Sequence, residues 1–113
     1  MPMDWSDNIV VCDLRDEPAL SEEMNELHQK LTSDEPDKKR DVVLDMGEVT
    51  YLNSSNIAQL LKIRKALVER DKKMRLCSVS DSVWSIMLLT GLDKVFDFAP
   101  DKATAIAGLQ IGS

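Results

Sequence analysis

One stretch constrains this chain more than any other: Asp41-Val-Val-Leu-Asp-Met-Gly-Glu-Val-Thr-Tyr-Leu-Asn-Ser-Ser-Asn56, with the helix it launches. Val42, Val43 and Leu44 form a short apolar run rich in β-branched side chains, which predicts a buried strand over Asp41 to Met46. Gly47 breaks the run. Asn53, Ser54, Ser55 and Asn56 are all helix-starting types. Behind them Ile57, Leu60, Leu61, Leu67 and Val68 recur at helical spacing and predict a second helix, Ser54 to Arg70, with one apolar face. A strand therefore runs into a loop, and the loop sets two hydroxyls at the positive end of a helix.

The segments around this unit alternate in the same way. Asn8 to Leu14 predicts a strand. Glu17 to Thr32 predicts a helix, with Pro18 in its first turn and Leu20, Met24, Leu27 and Leu31 as a buried stripe. Glu22, Glu23 and Glu26 lie off that stripe. Residues 33–40 form a polar connector with one proline and charges of both signs. Met74 to Val79 alternates apolar and polar residues, as a strand with one buried face does. Ser80 to Ser82 offers N-cap residues for a third helix, Val83 to Thr90, whose broad apolar face is Val83, Trp84, Met87 and Leu88. Gly91 stops it. Val95 to Phe98 predicts a last short strand. Pro100 to Leu109 predicts an alanine-rich closing helix with Ile106 and Leu109 facing in. The sum is a single α/β domain over residues 1–113, in alternating β-α order. Its sheet is mixed and mostly parallel, with about four to five strands and helices packed on it.

Composition excludes several functions. The chain has 113 residues and a net charge of −6, so its surface repels nucleic acid and anionic membrane alike. It begins without a basic start or an apolar signal run, and no segment reaches the ~18 apolar residues of a membrane span. A cytoplasmic location is expected. Cys12 and Cys77 each sit in an apolar strand-like segment, far apart, and read as buried core thiols rather than a metal or redox pair. The four glycines, at 47, 91, 108 and 112, make no phosphate loop. The single histidine, His28, lies mid-helix in a different unit from Ser54 and forms no evident triad with it. No metal-ligand spacing and no cofactor motif appears. The chain reads as a non-enzyme.

Three stretches together resemble one family, the STAS domain of bacterial anti-sigma factor antagonists and sulfate-transporter tails. Val42 to Leu61 resembles its strand–loop–helix signature, in which an Asp-Ser-Ser-Gly or similar tetrad opens the helix. Lys73-Met-Arg-Leu-Cys-Ser-Val-Ser80, followed by Val83-Trp-Ser-Ile-Met-Leu-Leu-Thr-Gly-Leu-Asp93, resembles the next strand and the leucine-threonine-glycine-leucine helix end. Val95 to Phe98 and the helix behind it resemble the last pair of elements. The likeness covers about residues 40 to 110. Asn53 stands where the tetrad has its acid, and Asn56 where it has glycine. The family also opens with two strands and a Gly-Glu-Leu-Asp-like turn. Here only Asn8 to Leu14 is a clear strand, Met1 to Trp5 is a poor candidate for the other, and Leu14-Arg-Asp-Glu-Pro18 replaces the turn.

The resemblance implies a regulatory module that binds a protein partner, an anti-sigma factor of the serine-kinase type. It implies a phospho-acceptor at Ser54, with Ser55 as the alternate, and phosphorylation that ends the binding. The partner surface expected around it comprises Tyr51, Asn53, Ser54, Ser55, Asn56, Gln59, Lys62 and Ile63. Ile63 lies off the apolar stripe, so it either contacts a partner or meets a neighbouring helix. The other reading implied by the family is a scaffold or accessory subunit, of a signalling complex or a membrane transporter, that is never phosphorylated. A plainer reading of Ser54 and Ser55 is that they only cap the helix, worth ~1 kcal/mol.

Overall fold

The computed structural model describes residues 3–6, 8–33 and 40–111. The elements are β1 (Met3–Trp5), β2 (Ile9–Arg15), α1 (Ala19–Leu31), β3 (Asp41–Glu48), α2 (Ser54–Glu69), β4 (Met74–Cys77), α3 (Asp81–Thr90), a 3-10 turn (Leu92–Lys94), β5 (Asp97–Ala99) and α4 (Lys102–Ile111). They build one five-stranded sheet in the order β1-β2-β3-β4-β5. β1 pairs antiparallel with β2, and every other pair is parallel. The expected mixed, mostly parallel α/β sheet is therefore present. Met3 to Trp5, a poor strand candidate by pattern, forms the first strand. Residues 34–39 of the polar connector lie outside the described residues.

The register sorts side chains by face. Met3, Cys12, Leu44, Leu76 and Phe98 stand opposite one another across all five strands. Because strand side chains alternate, this row and its neighbours two residues away form one apolar face. Onto it pack Leu20, Met24 and Leu27 of α1, Leu60, Ile63 and Leu67 of α2, and Val83 and Met87 of α3. The other face is covered by α4, where Ala105 and Leu109 meet Ile9, Val43 and Cys77. Both cysteines are free, buried thiols, as their strand settings imply. Parallel strands put the starts of α1, α2, α3 and α4 at one edge of the sheet, and that edge carries the Ser54 tetrad.

Several expectations are corrected. β3 does not stop at Gly47 but runs through it to Glu48. β5 lies later than Val95 to Phe98, because Leu92–Lys94 winds into a 3-10 turn first. α2 buries Leu60, Ile63, Ala66 and Leu67, while Leu61 and Val68 are exposed. The helix is rotated so that the stripe continuing from Asn56 faces the sheet and α1. α3 buries Val83 and Met87 but leaves Trp84 and Leu88 only partly covered, with Leu89 at 87% exposure. Glu23, placed off the α1 stripe, is buried and held by the Arg15 guanidinium at 3.1 Å.

Candidate functional site

α2 begins with a reciprocal cap made by two asparagines. Asn53 is the N-cap, and its side-chain oxygen accepts from the Asn56 backbone N–H at 2.8 Å. The Asn56 side-chain oxygen accepts from the Asn53 N–H at 3.0 Å. Two donors that every helix start leaves unpaired are thus satisfied. The capping role belongs to Asn53, not to Ser54 or Ser55. The two serines occupy the first two helical positions, both exposed. Among the described residues their hydroxyls and amides meet no hydrogen-bond partner. The result is two exposed nucleophilic hydroxyls beside free N–H groups at the positive end of a 16-residue helix.

The loop ahead of this cap is tied down from both sides. Asp16, in the turn after β2, accepts from the Thr50 N–H at 2.9 Å and the Thr50 hydroxyl at 2.7 Å. These bonds, the hydroxyl's first, hold the Asp16 carboxyl below the usual aspartate range. Glu17 accepts from the Ser21 hydroxyl and from the Ser21 N–H, and takes a third bond from the Asn56 side-chain amide at 3.2 Å. Its carboxyl is likewise lowered, chiefly by Ser21. On the far side the Ser80 hydroxyl donates to the Val49 carbonyl at 3.3 Å and accepts from the Val83 N–H, which joins the α3 cap to the same loop. The Gly47 N–H donates to Asp45 at 2.9 Å, and a Cβ at Gly47 would stand 3.1 Å from that carboxylate oxygen.

Tyr51, Ser54, Ser55 and Lys62 reach the surface, with Tyr51 at 63% exposure. Asn53 is half-buried in its cap. Gln59 is half-buried too, its amide donating to the Ser21 carbonyl at 3.1 Å and to Asn25 at 3.2 Å, so it binds α2 to α1. Asn56 and Ile63 are fully buried and do not belong to a surface. Ile63 fills the α1–α2–sheet interior. Asn56 points inward at Glu17, so the extra side chain relative to glycine lies under the surface rather than on it.

His28 does not join Ser54. It lines a separate shallow groove with Thr32, Lys62, Lys65, Ala66 and Glu69. Its pKa is lowered by burial and by the cations Lys62 and Arg70. No group of three metal-ligating side chains occurs among the described residues, and no helix there is long and apolar enough to cross a membrane. The sequence reading missed Asp16 and Glu17, whose bonds reach across 34 and 39 positions of chain. It also missed the exposed apolar side of α3. The signal for the latter was present: Val83 to Leu89 is apolar except for Ser85, more than one buried stripe can hold.

Residues 6–105 match the STAS domain model, and the chain belongs to that family. The anti-sigma-B factor antagonist of Staphylococcus aureus is 31% identical over 67 residues, a match covering 59% of this chain and 62% of that relative. Among solved structures, an anti-sigma-factor antagonist (STAS) domain protein from Planctomyces limnophilus superposes with a TM-score of 0.80, at 20% identity and over 96% of each chain. The Bacillus cell fate determinant SpoIIAA, in its phosphorylated form, superposes with a TM-score of 0.69 at 15% identity, covering 93% of this chain and 95% of that one.

Proposed function

We propose that this chain is a partner-switching antagonist. It binds an anti-sigma factor of the serine-kinase type through the surface around Tyr51, Ser54 and Ser55, and phosphorylation of Ser54 ends the binding. The observation that carries the reading is that Ser54 and Ser55 are exposed and the cap does not need them. Helix capping, the plainer account of two serines at this place, is the work of Asn53 and Asn56. Support also comes from the relatives: one is an anti-sigma-B factor antagonist, and SpoIIAA of the same fold has a phosphorylated form.

The physics suits a switch that leaves the fold intact. A phosphate on Ser54 would meet free N–H groups and the helix dipole, which tolerate it. It would add roughly −1.5 to −2 charges to a surface that must lose its own water on docking. Lys62, exposed two turns along α2 from Ser55, widens that surface. Asn53, in place of an acid, keeps the cap but puts no charge beside the acceptor.

The test is intact-mass spectrometry with site mapping on protein purified from its own host, in growth and in stress. A phosphate on Ser54 that is absent in Ser54→Ala supports the switch. No phosphate in either condition overturns it and favours the scaffold reading, in which the same surface holds a constitutive partner.

A further inference from the structure

Seven of the fourteen lysines and arginines of this chain of net charge −6 lie from Leu61 to Arg75, against two acids in the same stretch. Three of the seven, Arg64, Lys72 and Lys73, line one groove. The lining is Arg64, Leu67 and Val68 from the last turns of α2, Lys72, Lys73 and Met74 just beyond it, and Val95, Phe96 and Asp97 ahead of and in β5. Val68 is 58% and Val95 37% exposed, so apolar surface stays open to water between the cations. The groove opens at the end of α2 opposite the tetrad. Val68 lies 14 residues beyond Ser54 on the same helix, or about 21 Å along its axis.

We infer that this groove is a second docking surface, and that its occupant is an acidic segment of a protein partner with one aliphatic side chain seated between Val68 and Val95. Charge selects the class: Arg64 and Lys72 stand against one lining acid, Asp97. The apolar walls separate a peptide from a bare anion, which gains nothing from Val68 and Val95. The volume, about 130 Å³, is close to the ~150 Å³ of an apolar cavity that takes benzene, enough for one side chain. A nucleic acid or an anionic membrane fits less well, because the remaining surface repels it and the recess is concave. The site is independent of the Ser54 reading. An acidic segment held here would stay attached while the tetrad end is modified.

The probe is an acetylated, amidated heptapeptide of glutamate and aspartate with a central leucine. It is titrated into the ¹⁵N-labelled full chain with amide shifts followed by NMR. The expected result is shifts confined to the amides of Arg64, Val68, Lys72 and Val95, with binding that weakens as salt is raised. Arg64→Glu combined with Lys72→Glu should weaken it at least about tenfold. So should Val68→Ser, and so should serine for leucine in the peptide. Ser54→Asp should leave it unchanged, so failure of the groove and failure of the switch are separate outcomes. Absence of shifts overturns the inference. So does an equal response to the leucine-free peptide, to phosphatidylserine vesicles or to an oligonucleotide. All three substituted positions reach the surface, and unchanged melting temperatures of the variants verify that a loss of binding is not a loss of fold.

Discussion

At the scale of single residues, the two asparagines explain how this chain departs from its family's tetrad without losing the helix. Asn53→Ala removes the acceptor for the Asn56 N–H and should cost ~1 kcal/mol, read as a lower denaturation midpoint in urea. Ser54→Ala and Ser55→Ala remove no bond and should stay within about 0.5 kcal/mol of the parent. If Ser54→Ala instead cost as much as Asn53→Ala, the serine would be structural and its exposure would lose its functional meaning. The thiols offer a second test at this scale. Burial pushes Cys12 up to about 12 and Cys77 to about 11, with nearby carboxylates adding to the effect. The thiolate is the reactive form. Native protein at pH 8 should therefore leave both cysteines unalkylated by iodoacetamide, and protein in concentrated urea should take up two labels by mass.

At the scale of elements, α2 is where pattern and packing part company. Ile57, Leu60, Leu61, Leu67 and Val68 satisfy a helical face on paper, yet the stripe that is buried adds Ile63 and Ala66 and drops Leu61 and Val68. Periodicity fixes that a helix is amphipathic. Its rotation is set by neighbours distant in sequence, here α1 and the sheet, and two faces 100° apart both count as apolar in this segment. Leu60→Ala should cost about 2–5 kcal/mol and Leu61→Ala under about 1 kcal/mol, a pair of unfolding curves that separates the two faces. β3 and the tetrad, by contrast, were legible because their signals are local: a β-branched run, then cap residues in sequence. Asn56 was not, since its burial depends on Glu17, 39 positions earlier in the chain. The bonds from that turn also predict a pH dependence. Asp16 and Glu17 have lowered folded pKa values, so they stabilise the native state above their ordinary values of 3.8 and 4.5. That stabilisation is lost as pH falls from about 4.5 through the lower folded values. Glu17→Gln should flatten the acid limb of a plot of melting temperature against pH, and leave its neutral and basic parts parallel to the parent.

At the scale of the whole molecule, the sheet gathers the starts of its helices at one edge, and α2 and α3 differ in what they expose. α2 presents hydroxyls and a cation; α3 presents Trp84, Leu88 and Leu89. The T-shaped contact of Trp84 with Phe98, centroids 5.1 Å apart, anchors one side of α3. Leu89 is not so held. A leucine 87% exposed adds almost nothing to folding, so a change there leaves the core untouched. This separates stability from binding in a way the core cannot. Leu88→Ser with Leu89→Ser should leave the melting temperature within about 2 °C of the parent, because little buried surface is lost. If α3 lies in the docking surface with Ser54, the same variant should weaken capture of the anti-sigma partner as strongly as Ser54→Asp does, while Ser54 is still phosphorylated at the parental rate by a kinase that recognises only the tetrad loop. A variant that binds normally would confine the surface to Tyr51 and the start of α2. One that melts far below the parent would mean that α3 packs more tightly than its exposure indicates.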